Sequence, residues 1–329
     1  MRSREQTLAM KPILVILLLA AVIVGPAIGQ SYPAKAILVI SPVQAGSAGD
    51  TTLRLVTQKM SLNMGQSLLV ENTTGAAGIV GAQRLARAAP DGYTIGGISD
   101  STVTYVPILQ KRNDFEPLAL FEPVSLISSS TWVLVTHPSL PVRNVRELVT
   151  LAKTQTRYMD YASAGLGGSH HVMMEMFSAA TGIRLNHVPY RGATQAAVDV
   201  QAGHVPVMFS ALAVVIGPLQ SGRLRALGVA NEQRSPLLPE IPTISESGVP
   251  GFVFSTWTGL FAPRATPKVL VERLATEVAS ALGDPALRTK IQSLGGNPQA
   301  STPAELATRI REITAKMRKV IQDAKISAE

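Results

Sequence analysis

Two short stretches of the chain combine glycine with small hydroxyl residues in a way that suits anion binding. They are Gln44-Ala45-Gly46-Ser47-Ala48-Gly49-Asp50 and Gly165-Leu166-Gly167-Gly168-Ser169. Each follows an apolar run that reads as a strand, and each opens a stretch that reads as a helix. At such a junction several backbone N–H groups lack intrahelical acceptors, and the helix dipole adds partial positive charge. Glycine lets the backbone approach an anion closely and supplies positive φ where a nest of amides needs it. In open α/β sheets these junctions lie at the carboxyl ends of strands, where ligands bind. Two such loops, one in each half of the repeated pattern, suggest two jaws closing on one anion. Ordinary glycine turns are the competing reading. In the cradle reading, Gly168 is expected at positive φ or where a Cβ would intrude on the ligand.

Other chemistry is weaker. No Walker lysine follows the first strand, and neither loop completes G-x-G-x-x-G. Ala45-Gly46-Ser47-Ala48-Gly49 loosely matches a nucleophile elbow. An elbow serine sits directly after its strand, however, and Ser47 lies seven residues beyond Ile40 with Pro42 between. His170 and His171 are adjacent on one helix and point about 100° apart, so they do not chelate one ion. His171 is better placed to hold the loop-to-helix junction by a hydrogen bond. Asp50 reads as a helix N-cap, with contact to a ligand donor as a second role. Arg191, in Pro189-Tyr190-Arg191-Gly192, offers a bidentate carboxylate clamp or an ordinary ion pair.

These residues need a scaffold. Ala36–Ile40, Ser67–Glu71 and Tyr93–Ile98 read as strands, with helices from Asp50 to about Met60 and from Ala76 to Ala88 between them. The order βαβαβ predicts a parallel, doubly wound sheet. The pattern then restarts with strands at Thr131–Thr136, Met159–Ala162, Leu185–Val188, Val205–Phe209 and Leu224–Ala230. The helices between them include Asn144–Lys153, with a capping box to Glu147, and His170–Ala180. Two helices close the chain. One is expected to start from Thr266 as N-cap with Pro267 at the first helical position, the other from Thr302 with Pro303 and Glu305.

Composition agrees with a globular binding or catalytic protein. The chain has 329 residues, 46% of them hydrophobic and 16% charged, which favours two domains. It has no cysteine, hence no disulfide, thiolate nucleophile, iron–sulfur cluster or Cys-ligated zinc. The net charge of +8 gathers towards the C-terminal helices: residues 264–329 hold 11 basic and 7 acidic residues. Without stacking aromatics or a nucleic-acid motif, this reads as a solvated helix face. No metal and no cofactor is expected. At the amino end, Arg2, Arg4 and Lys11 precede the apolar run Ile13–Val24, and Ala27-Ile28-Gly29 supplies small residues. That is the three-part signal-peptide pattern, predicting residues 1–29 as an export signal cleaved near Gly29.

Six motifs occur in order between Pro42 and Gly248. They are Pro42-x-x-Ala45-Gly46-x-x-x-Asp50; Val70-Glu71-Asn72-x-x-Gly75-Ala76-x-Gly78; Pro90-Asp91-Gly92-Tyr93-Thr94; Gly165-x-Gly167-x-x-x-His171 with Glu175; His187-Val188-Pro189-Tyr190-Arg191-Gly192; and Leu238-Pro239-x-Ile241-Pro242-Thr243-x-x-Glu246-x-Gly248. With these motifs the chain resembles, over residues 33–325, the Bug family, the extracytoplasmic solute receptors of tripartite tricarboxylate transporters. The resemblance implies an α/β fold of two doubly wound domains joined by two crossing segments, of the periplasmic binding protein type II kind. The expected domains are 30–124 plus 251–329, and 125–250. The implied function is capture of a small organic anion, a carboxylate, and delivery to an inner-membrane tripartite tricarboxylate permease. The implied protein is periplasmic, monomeric and not an enzyme.

The resemblance carries ligand contacts over to Ala45, Gly46 and Ser47 in the first loop and to Gly167, Gly168 and Ser169 in the second. Val43, Asp50, Ser101, Tyr190, Arg191 and Ser210 complete the expected site. Val43, Ser47, Ser210 and Thr73-Thr74 depart from the family's usual residues, which bears on the ligand's identity. The alternatives are a secreted serine hydrolase using Ser47, and a receptor presenting its ligand to a membrane sensor.

Overall fold

The computed structural model describes residues 32–323 and Ile326. The expected signal peptide therefore lies outside the described residues. A compact unit begins at Lys35 and carries two sheets. The first is built from β1 (Ile37–Ser41), β2 (Leu68–Asn72), β3 (Thr94–Ser99), β4 (Phe121–Ser130), β10 (Thr256–Pro263) and β11 (Gly296–Pro298), in the order β11-β4-β10-β3-β1-β2. The second holds β5 (Trp132–Thr136), β6 (Met159–Ser163), β7 (Leu185–Pro189), β8 (Val207–Ala211) and β9 (Arg225–Val229), in the order β7-β6-β8-β5-β9.

The expected strands form because their side chains are buried and apolar: Ile37, Val39 and Ile40 in β1, and all of Trp132–Thr136 in β5, are inaccessible or nearly so. Between β1 and β2 runs α1 (Ala48–Met64), which buries Leu53, Val56 and Met60 at helical spacing and ends on Gly65 at φ 66°. A 3₁₀ turn (Ala76–Gly78) and α2 (Ile79–Ala86) lead to β3, and α3 (Asp100–Thr104), α4 (Val106–Leu109) and α5 (Pro117–Leu120) lead to β4. The second sheet is threaded by α6 (Val145–Thr154), α7 (Ser169–Thr181), α8 (Ala193–Gln201) and α9 (Leu212–Gln220). The tail folds as α10 (Lys268–Leu282), α11 (Pro285–Ser293) and α12 (Pro303–Asp323). One apolar cluster takes in Ile40 and Phe261 from the first sheet, Tyr161 and Phe209 from the second, and Trp132 with Phe254.

One expectation about the sheets is corrected. Neither sheet is purely parallel. β1, β2 and β3 pair in parallel, but β10 returns antiparallel between β3 and β4; in the second sheet β5 runs antiparallel to both β8 and β9. The central, most protected place in each sheet thus goes to a strand from far along the chain. Strand β4 carries no clean strand pattern in sequence, because Pro123 and four serines interrupt it. The structure accommodates Pro123 opposite Phe261, next to a register shift in the ladder, where a missing donor costs least. The sheets change over between Ser130 and Trp132, so all of β4 lies in the first sheet.

Helix caps divide in the same way. Asn144 and Glu147 form their capping box, with the Glu147 amide donating to Asn144 Oδ1 at 2.9 Å. Thr302 and Glu305 form theirs. Thr266, however, is not an N-cap. Its hydroxyl donates to the Pro263 carbonyl at 2.7 Å, closing a turn, and Pro267 takes the N-cap position of α10.

Candidate functional site

The two glycine loops occupy equivalent places. In the orders β2-β1-β3 and β7-β6-β8, the chain leaves the middle strand towards one side and later returns on the other. The loops after β1 and β6 therefore sit at the switch points, at the carboxyl ends of the strands. Both open on one cavity of about 840 Å³. The first loop contributes Val43 to Gly49, and the start of α7 contributes Ser169 and His170. Other walls come from Ser99–Ser101 after β3, Ser130–Trp132 at the sheet crossover, Arg191–Gln195 before α8, Thr256–Thr258 of β10 and Leu294–Gly296.

Each helix start has amides to offer. In α1, Ser47 Oγ accepts from the Asp50 amide at 3.3 Å, which leaves the Ala48 and Gly49 amides at the first helical positions with no intrahelical acceptor. In α7 the N-cap is Gly168, which has no side chain with which to cap, so the Ser169, His170 and His171 amides are likewise unspent within the helix. Tyr105, only 1% exposed, reaches across from the first sheet's side, its hydroxyl 2.7 Å from Ser169 Oγ.

The profile of a family described as the tripartite tricarboxylate transporter family receptor matches residues 52–326. The chain belongs to that family. It is 31% identical over 289 residues to protein BugT of Bordetella pertussis (strain Tohama I), covering 88% of this chain and 89% of BugT. A solved Rhodopseudomonas palustris protein with adipate superposes with a TM-score of 0.84 at 29% identity, covering 90% of this chain and 99% of that one. MatC from the same organism, with bound malate, gives 0.79 at 30% identity, covering 88% and 100%. These are binding receptors, not enzymes. In the receptor described here, Ser47 is a helix cap; its expected alternative as a hydrolase nucleophile falls away.

Of the expected contacts, Val43, Ala45, Gly46, Ser47, Ser101, Ser169 and Arg191 line the receptor's cavity. Asp50, Gly167, Gly168, Tyr190 and Ser210 do not. Asp50 is not the N-cap of α1 but stands three residues inside it, buried behind the loop. Its carboxylate accepts from Gly46 N at 3.0 Å, Asn72 Nδ2 at 2.7 Å, Arg54 Nε at 2.9 Å and, more weakly, Ser41 Oγ at 3.3 Å. Burial alone would push its pKa up, but the bonds from Arg54, Gly46 and Asn72 together hold it below the usual aspartate value. Ser210 is fully buried, with its hydroxyl turned to the Ala211 carbonyl. Tyr190 donates to Asp199 Oδ2 at 2.6 Å; burial, then Asp199, push its pKa to about 12.

The second loop is held from below by stacked rings. His171 lies on His187 with centroids 4.3 Å apart, and His187 on Tyr161 at 4.8 Å. His171 Nδ1 accepts from the Gly167 amide at 3.1 Å, the junction bond expected of it, so that nitrogen carries no proton. Ser163 Oγ bonds His187 Nε2 at 2.6 Å and accepts from the Gly165 amide at 3.0 Å. Burial keeps both imidazoles easy to deprotonate: His171 is lowered, and His187, with His171 as a second cause, falls to about 4. For Gly168 the expected positive φ is corrected. Its φ is −78°, and a Cβ there would meet nothing nearer than Gly165 O at 3.6 Å. Positive φ belongs instead to Gly167, at 71°, and Gly165, at 124°.

Sequence reasoning missed Asp100, Trp132, His170 and Trp257 as cavity walls. For Asp100 a signal existed: it directly follows β3, at the same carboxyl edge as the loops. Trp132 and Trp257 gave none, because only the pairing of distant strands brings them here.

Proposed function

We propose that this receptor captures a small organic carboxylate between two lobes and hands it to an inner-membrane tripartite tricarboxylate permease. The lobes are built around the first and the second sheet, with the chain crossing between them near Ser130–Trp132 and again before β10. The observation that carries the reading is that two helix starts, α1 and α7, offer unspent amides to one cavity. Adipate and malate in the related solved proteins support the ligand class. Four charge-assisted hydrogen bonds at about 1.5–3 kcal/mol each would offset desolvation and closure and still reach micromolar affinity, near −8 kcal/mol. Asp50 and His171 do not touch the ligand in this reading; they hold the amides where a carboxylate can use them.

The receptor acts as an exported monomer, cleaved near Gly29–Gln30. Among the described residues no helix is long and apolar enough to cross a membrane. A thermal-shift screen against mono-, di- and tricarboxylates tests the reading. A true ligand at a hundredfold excess over Kd stabilises the fold by about 2.7 kcal/mol. A panel without a single melting shift would overturn it. Mass spectrometry of the periplasmic protein tests export, and an intact Met1 terminus would refute cleavage.

A further inference from the structure

Asp100 is the one carboxylate among the residues lining the cavity, and Arg191 is the one cation. The Asp100 side chain is only 2% exposed, and its Oδ1 has no hydrogen-bond partner. Backbone amides of Ser101, Trp257 and Asp100 itself point at the carboxylate, but no cationic side chain pairs with it among the described residues. The neighbouring hydroxyls are committed elsewhere: Tyr105 to Ser169, Ser101 to Ser99, and Thr102 to the Ala77 carbonyl. Burial accordingly pushes the Asp100 pKa up to about 7. Two more buried polar atoms without partners, His170 Nε2 and Trp257 Nε1, belong to residues of the same lining.

A buried carboxylate oxygen left unpaired costs stability, and native folds seldom keep one without a use. The rest of the cavity tells what Asp100 would accept. The anion-binding amides sit at the starts of α1 and α7, so a ligand's carboxylate belongs there. A second ligand carboxylate would meet like charge at an ionised Asp100, whereas a donor would fill the idle oxygen and favour the ionised form. We propose that Asp100 determines specificity by taking a hydrogen-bond-donating substituent of the carboxylate ligand, an ammonium best and a hydroxyl next. The proposal rests on the carboxylate-receptor reading and narrows it to amino- or hydroxy-substituted acids.

Matched series test it: succinate, malate and aspartate; glutarate, 2-hydroxyglutarate and glutamate; adipate, 2-hydroxyadipate and 2-aminoadipate. Affinities are measured by isothermal titration on the mature receptor, on Asp100→Asn and on Asp100→Ser, with melting temperature as the folding check. In the series that binds, the amino member is expected at least tenfold tighter than the bare acid, with the hydroxy member between. Asp100→Asn is expected to shrink the amino preference at least tenfold while the bare acid binds as well as before or better. Asp100→Ser gives the same answer should the asparagine variant fold poorly. Bare acids that bind as tightly as their substituted partners overturn the proposal and leave the receptor reading standing. So does a preference that survives both substitutions. Silence from every member of every series overturns the receptor reading itself, and this proposal with it.

Discussion

Replacing Asp50 by alanine tests whether the first loop is held from behind. The substitution removes the acceptor of four donors at once. They do not count equally. The Arg54 side chain is 45% exposed, so water replaces much of that contact, and it contributes at most about 1 kcal/mol. The Ser41 bond at 3.3 Å is long. The bonds from Gly46 N and Asn72 Nδ2 are short and shielded, and bonds to a charged acceptor stabilise by about 1.5–3 kcal/mol each. Relief from burying a carboxylate offsets part of that sum, leaving a net loss of about 3 kcal/mol. For a chain of this size that corresponds to a drop in Tm of about 5–10 °C. Asp50→Asn keeps one oxygen but turns an NH₂ towards donors, and should lose roughly half as much.

Urea unfolding of the ligand-free receptor measures the change, provided the m value is unaltered. Titration of a carboxylate ligand should show weaker binding in both variants, because Gly46 is no longer tethered. The acid limb carries its own sign. The folded-state pKa of Asp50 lies below the unfolded value, so its contribution is complete above about pH 4 and is lost as pH falls through the folded pKa. In Asp50→Ala that part of the acid dependence should vanish. A loss under about 1 kcal/mol with unaltered ligand affinity would refute the tether.

Gly167→Ala forces a side chain onto φ 71° and should cost about 1 kcal/mol while weakening carboxylate binding, whereas Gly168→Ala at φ −78° should do neither; titration and melting of the pair decide it. Tyr105→Phe removes the bond to Ser169 Oγ and should weaken ligand affinity by about 0.5–1.5 kcal/mol, read as a rise in Kd; an unchanged Kd would mean that the contact is indifferent to binding. His187, depressed to about 4, contributes stability that is complete above its unfolded value near 6.5 and is lost as pH falls from there to about 4. Melting temperature should therefore decline across that window, and less steeply in His187→Gln.

Much of this receptor is written locally. A run such as Ile37–Ser41, or a box such as Asn144 with Glu147, is specified by residues within a few positions of each other, because burial pattern and capping act at that range. The two glycine loops were legible for the same reason, and their equivalence follows from the repeated strand–helix order. So was the bond from Gly167 to His171, four residues apart on one turn. Side-chain direction at loops and strand ends was not legible. Ser210 and Tyr190 turn away from the cavity because Ala211 and Asp199 satisfy them. Asp50 is drawn inward by Asn72, a residue of the neighbouring strand. Sheet order was equally hidden. β10 carries no signal that it returns antiparallel between β3 and β4, since that pairing joins segments far apart in sequence and is settled by what fills the sheet. The same pairing sets Trp257 against Asp100 and leaves an oxygen without a partner at the cavity wall. The sequence alone placed two glycine loops between strand ends and helix starts, where amides are free to meet an anion. Which further group the cleft can accept was decided by long-range packing, because an unpaired buried atom is defined only by everything that fails to reach it.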